Sequence, residues 1–136
     1  MTATAISFLL NGRRVDLTDQ PPMRTLLDWL RYDQRMTGTK EGCAEGDCGA
    51  CTVALREHAG GRVATRPVCA CIQTLAMLHG KEVVTIEALA GEALDPIQQA
   101  IADGHGSQCG FCTPGIVMAL WAHGQAGGAR GRRAIE

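Results

Sequence analysis

The 136-residue chain reads as an α+β protein built in two parts. Apolar residues alternate in short period-two runs up to about residue 86, and beyond Glu87 they recur about every 3.6 residues, the repeat of a helix. Seven cysteines fall in three clumps: Cys43, Cys48 and Cys51; Cys69 and Cys71; Cys109 and Cys112. The change of period divides the chain into a strand-rich part over 1–87 that contains one helix, and a helical part over 88–136.

The runs over 5–10 and 13–17 flank Asn11-Gly12, the dipeptide that supplies the positive φ angles of a type I′ turn, so they form a hairpin. After Pro21-Pro22, Thr25 can cap a helix with Asp28 at the reciprocal capping position, Leu26, Leu27 and Leu30 on one face, and an end near 32–35. From 37 to 50 no period survives, and glycines alternate with charged residues and cysteines; so long a loop in a compact domain usually carries a function. The runs over 52–55 and 62–68 read as two strands joined across His58-Ala59-Gly60-Gly61, and 83–86 as a last short strand. Asp95-Pro96 then supplies a cap and a first-turn proline for a helix with Gln98 as its capping-box partner, Ile97 and Ile101 on its buried face and Gly104 as its stop. Thr113-Pro114 repeats the device, with Ile116, Val117, Leu120 and Trp121 as the apolar stripe and Gly124 as terminator. Residues 125–131 have a linker-like composition, and 132–136 open a further helix.

Composition narrows the function classes. Thirteen basic and fourteen acidic residues leave a net charge of −1, and the basic residues cluster only at Arg130, Arg132 and Arg133, so no nucleic-acid footprint is present. The apolar runs fall far short of the ~20 residues of a membrane span. Residues 1–10 lack the basic start of a secretory signal. A cytoplasmic location is therefore expected, where clustered cysteines more often bind metal or do redox work than form disulfides. The 46% hydrophobic content includes 19 alanines; Leu, Ile, Val and Phe make up only about a fifth of the chain, near the lower edge for a fold held by burial alone.

The spacing Cys43-x4-Cys48-x2-Cys51, with another cysteine some twenty residues on, is that of plant-type ferredoxins holding a [2Fe–2S] cluster. Four thiolates around such a cluster leave an anionic site that a protein interior tolerates only when hydrogen-bond donors converge on the sulfurs. Gly42, Gly46 and Gly49 let the backbone wrap close enough to supply them. The fourth ligand is Cys69 or Cys71, since residues i and i+2 of an extended segment share a face. A zinc site from Cys43, Cys48, Cys51 and Cys71 competes, although all-thiolate zinc sites usually pair two short knuckles. A free dithiol at Cys48 and Cys51 would be expected to open a helix, whereas the β-branched Thr52 and Val53 follow. Cys109 and Cys112 lie just before a helix N-terminus, whose free N–H groups favour thiolates. Two cysteines make half of a second cluster site.

The stretches Gly38-Thr39-Lys40-Glu41-Gly42-Cys43-Ala44-Glu45-Gly46-Asp47-Cys48-Gly49-Ala50-Cys51-Thr52-Val53 and His105-Gly106-Ser107-Gln108-Cys109-Gly110-Phe111-Cys112-Thr113-Pro114-Gly115-Ile116-Val117-Met118 closely resemble the iron–sulfur portion of the xanthine dehydrogenase-like members of the molybdenum hydroxylase (xanthine oxidase) family. The resemblance runs from about residue 6 to 136. It implies a β-grasp [2Fe–2S] ferredoxin-like domain followed by a helical-bundle [2Fe–2S] domain. By position it implies Cys43, Cys48, Cys51 and Cys71 as ligands of one cluster, Cys69 as a non-ligand, and Cys109 and Cys112 as two ligands of the other. The remaining two ligands follow, in the family, a helix that begins much like 132–136, so the helical part is expected to be partial here. The resemblance further implies that electrons released at a molybdopterin centre on a partner domain or subunit pass through the clusters to FAD on another and then to NAD+, during purine oxidation or, alternatively, aldehyde oxidation. Gln108, by itself an ordinary exposed loop amide, would lie against the pterin. No catalytic residue is expected in the chain itself.

Overall fold

The computed structural model describes residues 5–127; the expected helix over 132–136 and most of the linker before it lie outside them. Five strands form one mixed sheet in the order β2-β1-β5-β3-β4. β1 (Ile6–Leu10) and β2 (Arg13–Leu17) make the expected hairpin, and Asn11 and Gly12 take φ values of 51° and 80°. β3 (Thr52–Ala59) and β4 (Arg62–Cys69) pair antiparallel along their whole length. β5 (Glu82–Val84) lies between the two hairpins, parallel to β1 and antiparallel to β3.

One face of the sheet carries the main core. Phe8 and Leu10 of β1, Val53 and Leu55 of β3 and Val83 of β5 pack with Leu26, Leu27, Trp29 and Leu30, and the Phe8 and Trp29 rings meet edge to face with centroids 5.5 Å apart. The other face is covered where α3 (Thr113–Gln125) crosses it: Met118 and Ala122 bury Ala54 of β3 and Val84 of β5. Val53, Ala54 and Leu55 are all fully buried, because a strand covered on both faces has no solvent side for polar residues to alternate onto.

Several elements differ from the expectations in detail. The segment after Thr25 begins as expected, with the Thr25 hydroxyl accepting from the Asp28 N–H at 3.2 Å. α1 (Leu26–Asp28) is only a single turn, however, and continues as a π-helical turn over Trp29–Asp33. The Gln34 N–H reaches the Trp29 carbonyl at 3.1 Å, the five-residue step of a π-helix. Leu26, Leu27, Trp29 and Leu30 are all buried, so the segment is sunk into the core instead of presenting one face. β3 runs through 58 and 59, and the turn is Gly60-Gly61 alone, with φ of 58° and 78°, the two-residue connection that matches strand twist. β5 spans 82–84 instead of 83–86, and it stops early because the Asn11 side chain holds residue 85, accepting from its N–H at 2.8 Å and donating to its hydroxyl at 3.0 Å; a 3-10 turn over Ile86–Ala88 follows.

α2 (Pro96–Asp103) has the full capping box, with Asp95 accepting from the Ile97 N–H and Gln98 from the Asp95 N–H. Ile97 and Ile101 are only half-buried, since this helix packs chiefly against α3 and not on the sheet. In α3 the cap position belongs to Cys112 rather than to a threonine hydroxyl; the Thr113 hydroxyl instead pairs with that of Ser107 at 2.6 Å. Its buried face is Gly115, Val117, Met118 and Ala122, with Ile116 47% exposed and Leu120 and Trp121 half-buried. The helix runs past Gly124 to Gln125, and the positive φ comes at Gly127. Among the described residues no helix is long and apolar enough to cross a membrane.

Candidate metal centre

The loop between the π turn and β3 is clamped at its base. The Arg31 guanidinium donates to the carbonyls of Thr37 and Thr39, the Lys40 N–H donates to the Ala50 carbonyl, and the Gly38 N–H donates to the Glu87 carboxylate. With its ends held, the loop turns its peptide N–H groups inward. Those of Glu45, Asp47 and Cys48 point at the Cys43 sulfur at 3.2–3.4 Å. Those of Cys43 and Ala50 point at the Cys48 sulfur, each at 3.4 Å. The Gly46 N–H points at the Cys71 sulfur at 3.2 Å. Six donors thus converge on three of the thiols, the donor set that an anionic iron–sulfur cluster requires.

The glycines act in two ways. Gly46 and Gly49 take φ of 80° and 74°, which turns the loop back on itself. At Gly42 the need is for space, because a Cβ there would stand 2.7 Å from the Cys48 sulfur. A side chain at 42 would have to displace the Cys48 sulfur.

Electrostatics separate the thiols. Donation from the N–H groups of Cys48, Glu45 and Asp47 pulls the Cys43 thiol down to about 7. Burial pushes Cys71 up to about 11, with the Cys51 thiol beside it adding to the rise, and burial likewise raises Cys51 and Cys69. Cys51 and Cys71 are buried, Cys43 half-buried and Cys48 exposed. Cys69, the last residue of β4, faces the Gly46 carbonyl instead of its N–H, its thiol 4.0 Å from the carbonyl oxygen. Among the described residues no three Cys, His, Asp or Glu side chains converge on a single ion-sized point; the thiols are arrayed around the loop instead.

The second clump lies on the adjoining surface. Cys109 and Cys112 are exposed, with Gly110 between them at φ 84° and Cys112 at the N-cap of α3. Gln108 is exposed beside them. Two contacts tie this turn to the first loop: a Cβ on Gly42 would lie 3.6 Å from Cε1 of Phe111, and a Cβ on Gly115 would lie 2.3 Å from the Gly49 carbonyl oxygen. Phe111 and Gly115 are the site residues that sequence reasoning missed. Their position between and just after two cysteines was the available signal, but nothing local says what they touch.

Residues 8–75 match the family of 2Fe-2S iron–sulfur cluster binding domains and residues 85–134 the [2Fe-2S] binding domain family. The chain is an iron–sulfur region of the xanthine oxidase family. It is 44% identical to aldehyde oxidase 1 of Cavia porcellus over 90% of this chain and 10% of that protein. It is 46% identical to xanthine dehydrogenase of Drosophila pseudoobscura pseudoobscura over 85% of this chain and 9% of that one. The chain therefore spans about a tenth of the length of these curated relatives. Among solved structures, an aldehyde oxidoreductase from Desulfovibrio gigas superposes with a TM-score of 0.82 at 31% identity, over 97% of this chain and 14% of that one. A chain of quinoline 2-oxidoreductase from Pseudomonas putida 86 does so with a TM-score of 0.79 at 30% identity, over 99% of this chain and 78% of that one. These matches agree with the expected family and with the α+β, ferredoxin-like fold.

Proposed function

We propose that this iron–sulfur region carries electrons between a molybdopterin centre and FAD in a xanthine dehydrogenase-like enzyme, with Cys43, Cys48, Cys51 and Cys71 as the ligands of one complete [2Fe–2S] cluster. The observation that carries the reading is the set of six peptide N–H groups aimed at the sulfurs of Cys43, Cys48 and Cys71. A bound cluster supplies one-electron storage. The chain's own residues do the rest. The loop backbone offsets thiolate charge, Gly42, Gly46 and Gly49 keep the peptide close to the sulfurs, and burial of Cys51 and Cys71 excludes water from that side. The protein tunes and positions, and substrate chemistry takes place elsewhere.

Cys109 and Cys112 supply two of the ligands of a second cluster. We divide the chain at 87/88 between the two cluster domains. The partners are a molybdopterin-binding domain or subunit, with exposed Gln108 on the contact face, and an FAD domain or subunit. Purine oxidation is the substrate reading, since xanthine dehydrogenases stand among the relatives at 43–46% identity; aldehyde oxidases at similar identity make aldehydes the alternative. A cytoplasmic site fits the reduced thiols the cluster needs.

Anaerobic reconstitution of the chain with iron and sulfide tests the complete site. The expected product is red-brown with about two irons and two labile sulfides per chain. A colourless product that retains zinc would overturn the reading.

A further inference from the structure

We propose that Gly115 is a spacing residue: by having no side chain it lets the first turn of α3 seat on the Cys43–Cys51 loop, and so sets how close the two iron–sulfur centres stand. The proposal rests on the reading that both cysteine clumps hold clusters.

The contact is between backbones. A Cβ on Gly115 would lie 2.3 Å from the Gly49 carbonyl oxygen, 3.2 Å from its carbonyl carbon and 3.3 Å from Ala50 Cα. None of these atoms belongs to a side chain that could swing aside. Both partners are also held from behind. The Gly49 carbonyl accepts from the Thr52 N–H at 3.1 Å and from its hydroxyl at 2.7 Å, and the Ala50 carbonyl accepts from the Lys40 N–H at 3.3 Å. α3 is fixed by Met118 and Ala122, both fully buried against the sheet. A side chain at 115 would therefore lever the N-terminus of α3 outward, and Cys112 at its cap with it.

Gly49 is the neighbour of Cys48 and lies two residues before Cys51, so this contact is a direct link between the two thiol groups. Glycine is a poor helix former and alanine the best, so a glycine in the first turn needs a reason, and the close approach supplies one. Gly124 of the same helix has nothing within 4 Å of its Cβ position and provides the control. Electron tunnelling falls steeply with separation, and the magnetic coupling of two paramagnetic centres falls with its cube, so both read the spacing directly.

The test is made in the whole enzyme that carries this region, with Gly115→Ala and Gly124→Ala compared with the parent. Iron and sulfide content, the separate signals of the two reduced clusters and their mutual splitting at low temperature are recorded by electron paramagnetic resonance. The expected result is a smaller splitting and slower cluster-to-cluster transfer in Gly115→Ala, at full iron content and with each signal's own g-values retained, while Gly124→Ala matches the parent. Unchanged splitting in fully loaded Gly115→Ala would overturn the proposal. So would loss of either cluster in that variant alone, which would assign the contact to assembly instead of spacing. A parent enzyme with only one cluster would refute the underlying reading before any variant is compared.

Discussion

Cys69 and Cys71 approach different backbone groups of Gly46. The Gly46 N–H is aimed at the Cys71 sulfur at 3.2 Å, whereas the Cys69 thiol faces the Gly46 carbonyl oxygen at 4.0 Å. An N–H stabilises a ligating sulfur and a carbonyl oxygen repels one, so of the two only Cys71 has a backbone donor that a cluster ligand can use. Cys71→Ser is accordingly expected to abolish the visible absorbance of the reconstituted cluster, and Cys69→Ser to leave it. Equal iron loss in the two variants would show the assignment to be wrong. Cys43 allows a second prediction, for the metal-free chain. Its thiol sits at about 7 against an ordinary value of 9.0, while Cys71 sits at about 11. Between pH 7 and 9 Cys43 is thus the thiolate and Cys71 the thiol, and iodoacetamide followed by peptide mass analysis should find Cys43 alkylated well ahead of Cys71. The linkage has a definite sign. A lowered Cys43 pKa contributes stability that is present above pH 9 and lost as pH falls through about 7.

At the scale of elements, the contact that joins the two parts is α3 on β3 and β4, with Val84 of β5 at its edge. Met118 is fully buried against Ala54 and Val84, so Met118→Ala should cost about 2–5 kcal/mol by leaving a cavity under the helix, read as a lowered urea midpoint. α2 is a lesser matter. With no fully buried residue of its own, it depends more on its capping box, and Asp95→Ala should cost about 1 kcal/mol in the same measurement. The two helices look alike in sequence, each opening with a proline. What separates them is the partner: α3 lies on a sheet face and α2 chiefly on α3.

For the molecule as a whole, the modest stock of large apolar residues is arranged around a sheet covered on both faces, and the long cysteine loop is tied to its thiols by N–H···S bonds. Removing iron with a chelator should therefore lower the melting temperature together with the visible colour, because a ligand that binds only the folded loop stabilises it by mass action. Separate loss of colour without any change in melting would show the loop to be self-supporting. What could be read without coordinates was local. Asn11-Gly12, Asp95 with Gln98 and the spacing of Cys43, Cys48 and Cys51 act within a few residues, through turn geometry, a cap and the reach of one loop. The boundaries that shifted did so through distant partners, as when the Asn11 side chain takes the backbone of residue 85 and ends β5. The π turn at Trp29–Asp33 belongs to a segment sunk into the core, and no periodicity announces it. The contrast between Cys69 and Cys71 at the backbone of Gly46, and the backbone contact between Gly115 and Gly49, were likewise decided only by tertiary structure. Each depends on groups more than twenty residues apart, whose approach is set by how α3 and the loop pack on the sheet and not by any pattern along the chain.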